Sequence, residues 1–276
     1  MRKRGGPRPK EFQGDGMELG LRGRKALITG ASRGVGRACA EVLAGEGCDV
    51  VLVSRTAADL DAARAKITAQ YNVAVRCFPL DLSDSRSVDT LAAECPETDL
   101  LVNNAGAIPR GTIAEMDEAR WRAAWDLKVF GYINMTRRFY ALMAGRKQGV
   151  IINIIGAAGE NVQSNYITGS TGNASLMAFT RAMGGTAPRD GLRVVGINPG
   201  PVETDRMVTR LRREAQAQFG DAERWRELTK GMSFGRAATP EEIAWMAAFL
   251  ASDKSAYTTG TIVAVDGGGT SRRGAL

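Results

Sequence analysis

The segment Thr29-Gly30-Ala31-Ser32-Arg33-Gly34-Val35-Gly36 constrains this chain more than any other. It follows a short apolar run at 25–29 and opens a stretch of helical spacing at 34–45. Backbone N–H groups at a helix N-terminus attract a phosphate, and glycines let the phosphate approach without meeting a side chain. A strand before and a helix after make a glycine pattern specific. The segment is read as a dinucleotide phosphate loop, with Gly30, Ser32, Arg33, Gly34, Val35 and Gly36 as its contacts.

The rest of the chain repeats the same alternation. Apolar, β-branched runs at 49–53, 73–78, 99–103, 149–155, 193–198 and 261–265 read as strands. Helical spacing at 56–71, 85–94, 121–143, 170–184 and 240–251 falls between them. Continuous apolar strands separated by helices imply a parallel sheet covered on both faces. The expected fold class is α/β: a single-domain, doubly wound, Rossmann-type parallel sheet of about seven strands with helices on both faces. The domain is expected over 20–276, after a basic, Gly- and Pro-rich tail at 1–19 that has too little to bury and is expected to be disordered. Two charged helical stretches at 206–218 and 221–229 interrupt the alternation. They read as a lid-like insertion at about 205–232.

Composition excludes several classes. There is no histidine, and the four cysteines (Cys39, Cys48, Cys77, Cys95) show no metal spacing, so no metal site is expected. The thiols read as reduced groups of a cytoplasmic protein. No apolar run is long enough for a transmembrane helix, so no membrane partner is expected. Part of the net charge of +7 sits in the tail. What is left is too mild to indicate nucleic acid.

The end of the second strand bears on the choice of cofactor. An NAD site usually carries an acidic residue there for the ribose hydroxyls. Here the residues are Val53-Ser54-Arg55. Arg55 and Arg33 can both pair with a 2′-phosphate. NADP(H) is therefore expected in preference to NAD(H), with Ser54 and Arg55 among the contacts.

With these motifs in order, the chain resembles the short-chain dehydrogenases/reductases over about nine-tenths of its length. Thr29–Gly36 is similar to the family's TGxxxGxG. Asp81-Leu82 resembles the pair that contacts adenine, and Asn103-Asn104-Ala105-Gly106 resembles the NNAG motif. Pro199-Gly200-Pro201-Val202-Glu203-Thr204 resembles the stretch that holds the nicotinamide carboxamide, and Val265-Asp266-Gly267-Gly268 the closing strand and turn. The resemblance implies a homotetramer or homodimer.

It also implies a relay of Asn, Ser, Tyr and Lys, and here the sequence departs. The Asn position holds Lys128, the Ser position Gly156, the Tyr position Gly169 and the Lys position Asn173. A second register places Tyr166 in the Tyr role, but the residue four further on is then Ser170. Lys and Asn stand in each other's usual places. This suggests an exchanged relay in which Lys128 supplies the charge, Asn173 holds the ribose or a water, and Tyr166 or a water gives the proton. Lys128 in a solvated groove, paired only with a surface carboxylate, would end that idea.

Two functions stay open on the sequence. One is an NADP(H)-preferring oxidoreductase acting on a carbonyl or alcohol through a non-standard constellation. The other is a non-catalytic dinucleotide-binding sensor or scaffold subunit. A small-molecule pocket is expected from 107–110, 157–165 and 201–234, with Met207, Val208, Leu211 and Phe234 as apolar walls and Arg206 and Arg210 near an anion.

Overall fold

A computed structural model describes residues 18–272. The tail at 1–17 and the last four residues lie outside the described residues. Leu19, at the junction, packs half-buried against the core.

Seven strands form one parallel sheet in the order β3-β2-β1-β4-β5-β6-β7. They are β1 (Lys25–Thr29), β2 (Asp49–Ser54), β3 (Val75–Pro79), β4 (Leu100–Asn103), β5 (Gly149–Ile154), β6 (Leu192–Pro199) and β7 (Ile262–Val265). Successive side chains on a strand point to opposite faces. Thus Ala26, Ile28, Val150, Ile152 and Ile154 enter one core with α1 (Gly34–Gly45), α2 (Ala57–Gln70) and α8 (Pro240–Ala251). Leu27, Leu101 and Ile151 enter the other with α3 (Ser85–Glu94) and α5 (Gly131–Arg146). Both faces are covered, as the unbroken apolar strands require. Strand order reverses between β1 and β4, and a crevice opens there beyond the carboxyl ends of the strands.

Three elements depart from expectation. The strand placed at 73–78 begins two residues later. The helix placed at 170–184 is longer: α6 spans Ile167–Thr186, so Gly169 lies in its first turn. The single long helix placed at 121–143 is three pieces: α4 (Glu118–Trp125), a π-helical turn at Asp126–Phe130, and α5. A π turn inserts one extra residue and rotates the helix beyond it. The inserted turn carries Lys128. The end of α4 just before it is pinned to α6 by a hydrogen bond from Trp125 Nε1 to the Thr168 carbonyl at 3.1 Å. The segment after β6 forms α7 (Asp205–Phe219) and a 3₁₀ stretch (Ala222–Thr229). These bury Met207, Leu211, Ala215 and Trp225 against each other in a small separate core.

Candidate active site

The nucleotide end is built from backbone. Gly30 has φ +66°, a turn that L side chains rarely adopt. Asn104 Nδ2 donates to the carbonyls of Thr29 (3.1 Å) and Gly30 (3.3 Å). Thr29 Oγ1 accepts from the N–H groups of Asn104 (2.9 Å) and Ala105 (3.0 Å). The loop after β1 is thereby tied to the loop after β4. A Cβ on Gly36 would run into the Gly30 carbonyl, so α1 can seat against the turn only with glycine there.

Three observations test whether this end suits a phosphorylated dinucleotide. Helix α1 has no side-chain cap at Arg33, as is also true of α2 and α6. Its first N–H groups are left for an anion. Ser54 Oγ, at the end of β2, is buried without a hydrogen-bond partner. Arg33 and Arg55 remain 70% and 64% exposed, with only loose carboxylate contacts to Asp59 (3.8 Å) and Asp81 (4.0 Å). Neither guanidinium is locked into the protein, so both can turn to a 2′-phosphate. The donor set fits NADP(H).

At the other end of the crevice, neighbouring side chains occupy the space beside Gly156 and Gly169. A Cβ on Gly169 would fall inside the Tyr166 ring. Tyr166, the residue immediately before α6, therefore lays its ring over the position three residues further on. Gly156 has φ +136°, and a Cβ there would stand 2.9 Å from Asn173 Nδ2. The Asn173 amide thus fills the space beside Gly156, and its Oδ1 is buried without a partner. A Cβ on Gly106 would stand 2.5 Å from Lys128 Cδ, so that glycine leaves room for the lysine stem.

Lys128 is buried, not solvated, and among the described residues no carboxylate pairs with it. Its Nζ donates to the Ile154 carbonyl at 2.8 Å and to the Tyr132 hydroxyl at 2.7 Å; that hydroxyl in turn donates to Ile154 O at 2.8 Å. Burial pushes the Lys128 ammonium down to about 7. The two oxygens facing it favour the charged form and work against that fall. Burial pushes the Tyr166 phenol up, while Arg206 and Arg110 pull it down.

Tyr166 and Asn173 line a cavity of about 930 Å³ with Gly156, Pro199, Gly200, Arg110, Met207 and Phe234. Phe234 is 87% exposed at φ +54°, a strained backbone for a bulky residue. The expected walls are half right. Leu211 is buried inside the α7 core and Val208 packs against it, so they support the wall from behind. The chain from Asp266 to Arg272 also lines the cavity, which sequence reasoning missed.

The model of the family described as enoyl-(acyl carrier protein) reductase matches residues 30–270. The chain belongs to the short-chain dehydrogenase/reductase family. The 2-keto-3-deoxy-L-fuconate dehydrogenase of Xanthomonas campestris is 31% identical over 96% of this chain and 88% of its own length. The galactitol 2-dehydrogenase (L-tagatose-forming) of Cereibacter sphaeroides is 34% identical over 90% of this chain and 95% of its own. The L-sorbose reductase of Gluconobacter frateurii, solved with NADPH and L-sorbose, superposes with a TM-score of 0.87 at 29% identity. That match covers 91% of this chain and 98% of the reductase.

The residues read from the sequence as nucleotide contacts lie after the carboxyl ends of the strands. Asp81 and Leu82 follow β3, Asn104, Ala105 and Gly106 follow β4, and Pro199, Gly200, Val202 and Thr204 follow β6. Thr204 also caps α7 by accepting from Met207 N at 3.4 Å. Tyr132 was not anticipated. Its signal was available: it lies four residues after Lys128, on a helix where such neighbours meet. Among the described residues there is no group of three or more His, Cys, Asp or Glu that could hold a metal. No helix among them is long and apolar enough to cross a membrane.

Proposed function

We propose that this protein is an NADP(H)-preferring oxidoreductase that interconverts a carbonyl compound and an alcohol, with Tyr166, Lys128 and Asn173 as its reaction residues. The observation that carries the reading is the Tyr166 ring lying over Gly169, where the family's tyrosine is expected, on the wall of a cavity large enough for a substrate. Bound NADP(H) supplies or takes up the hydride. The chain's own part is acid–base and positional.

In the reducing direction the Tyr166 hydroxyl gives its proton to the carbonyl oxygen as that oxygen gains charge. The free acceptor of Asn173 takes a hydrogen bond from a ribose hydroxyl or a water. Lys128, held on the Ile154 carbonyl beside Tyr132, places positive charge behind the site, while Arg206 and Arg110 favour the Tyr166 phenolate. An ionisation pushed to about 7 suits it to passing protons near neutrality. Arg33, Arg55 and Ser54 favour a 2′-phosphate and hence NADP(H). Exposed Phe130 and Trp245 are consistent with assembly as a homodimer or homotetramer.

Relatives named for sugar acids and polyols make hydroxylated carbonyl compounds the first panel to try. The test monitors nicotinamide fluorescence on titration with NADPH and NADH, then turnover across ketones and aldehydes. Tighter NADPH binding with cofactor oxidation is the expected result. Tight binding with no turnover on a broad panel favours the sensor or scaffold reading, which the absent Ser, Tyr and Lys motivate.

A further inference from the structure

The cavity mouth carries an imbalance of charge that the proton relay does not use. The Arg110 guanidinium lies 5.4 Å from the centre of the Tyr166 ring. Its hydrogen bonds run only to neutral amide oxygens, Gln163 Oε1 at 3.3 Å and Asn165 Oδ1 at 3.5 Å. Arg206, from the first turn of α7, donates to the Ile108 carbonyl at 2.9 Å and acts electrostatically on the same phenol. Among the described residues neither has a carboxylate within ion-pair distance.

Apart from Arg272, the other charged groups of the cavity wall are paired within the protein. Arg210 pairs with Glu214 at 3.0 Å and Arg236 with Glu242 at 2.7 Å. The Asp266 carboxylate accepts from the backbone N–H groups of Gly268 (2.9 Å) and Thr270 (2.7 Å) and from the Thr270 hydroxyl. Arg110 is also held in place. The next residue, Gly111, donates its N–H to the Asn165 carbonyl at 2.9 Å and forms a parallel bridge to Tyr166. Arg110 over the Tyr166 ring and Arg206 on the carbonyl of Ile108, two residues before Arg110, thus bring two guanidiniums from separate elements to one side of the site with no carboxylate partner among the described residues, a repulsion that an anion would relieve.

We propose that Arg110 and Arg206 form an anion subsite, and that the carbonyl or alcohol compound handled beside Tyr166 carries a carboxylate or phosphate group. The inference rests on the oxidoreductase reading for the word substrate, but the subsite itself can be tested alone. Guanidinium pairs with either oxyanion in a fork, so the shared chemistry is the oxyanion and the experiment separates its sources.

Three probes with one cyclohexyl body serve: cyclohexanecarboxylate, cyclohexyl phosphate and methyl cyclohexanecarboxylate. Each is titrated calorimetrically into the full-length protein, alone and loaded with NADPH. Loading blocks the cofactor's own phosphate contacts. At least one anion should bind tenfold or more tighter than the ester, and the better anion names the group. Arg110→Gln and Arg206→Gln should each remove most of that preference, while Arg110→Lys keeps part of it. Equal binding of all three probes, no binding of any, or a preference that survives both glutamine variants overturns the proposal. NADPH fluorescence, read in the same samples, keeps the two readings apart. Intact NADPH binding without anion preference sinks only the subsite. An Arg-dependent anion preference without NADPH binding sinks only the oxidoreductase.

Discussion

The nucleotide end and the reaction end of the crevice are held by different means. At the nucleotide end the work is done by backbone: the Gly30 turn, the uncapped N-terminus of α1, and the Thr29 and Asn104 ties between the first and fourth strands. Backbone devices have few substitutes, so the motif residues stay at their family positions. At the reaction end the work is done by side chains, and a side chain can reach one spot from more than one residue. Tyr166 reaches over Gly169, and Asn173 fills the space beside Gly156. A relay can therefore be dispersed in sequence while its space stays filled.

Paired glycine substitutions strain this comparison most. Gly36→Ala drives a methyl into the Gly30 carbonyl, which is main chain and cannot give way. NADPH affinity should fall by about 100-fold or more, with a lower melting temperature. Gly169→Ala meets first the Tyr166 ring, a side chain that can swing aside. NADPH affinity should stay near wild type while turnover falls at least about tenfold, because the proton donor is displaced. Fluorescence titration and steady-state kinetics on the two variants check both. If Gly169→Ala loses NADPH binding and keeps its rate, the division between the two ends is wrong.

How far the site could be read from the sequence tracks the same division. Gly30, Gly34 and Gly36 were legible because a phosphate turn needs glycine at fixed spacing. The seven parallel strands were legible because sheets covered on both faces leave unbroken apolar runs. The π turn at Asp126–Phe130 was not, since α- and π-helical turns share composition and differ by one inserted residue. The Tyr132 contact to Lys128 was within reach of the i, i+4 spacing alone. The closing segment resembles a strand and turn over Val265 to Gly268, and the residues beyond carry no motif. Its place on the cavity wall comes from the return of β7 beside β6, which no local pattern announces.

Lys128 offers a test by pH. Its folded-state value of about 7 lies below its ordinary 10.5. Between those values the unfolded chain binds a proton that the folded chain has released, so stability rises with pH across the window; the penalty is complete below about 7. Lys128→Met should lose that rise. Urea midpoints at pH 7 and pH 9.5 should therefore converge between the two proteins at the higher pH. Parallel pH profiles would mean that Lys128 stays charged on the Ile154 carbonyl.

A smaller effect is expected at the exposed cations. Replacing Arg55 by Gln removes one charge-assisted contact to a 2′-phosphate at a site open to solvent. The NADPH-over-NADH preference should fall about five- to tenfold and depend on salt. Arg33→Gln should act in the same direction. Unchanged preference in the double variant would place the 2′-phosphate elsewhere.

The most direct test of the rebuilt reaction end is the single-turnover rate of hydride transfer in Tyr166→Phe, measured with its NADPH affinity. The account predicts unchanged NADPH affinity and a rate lower by about 10²–10⁴-fold, the usual contribution of a positioned acid. A Phe variant that transfers hydride as fast as wild type would show that the proton comes from another group, and that the ring over Gly169 only fills space.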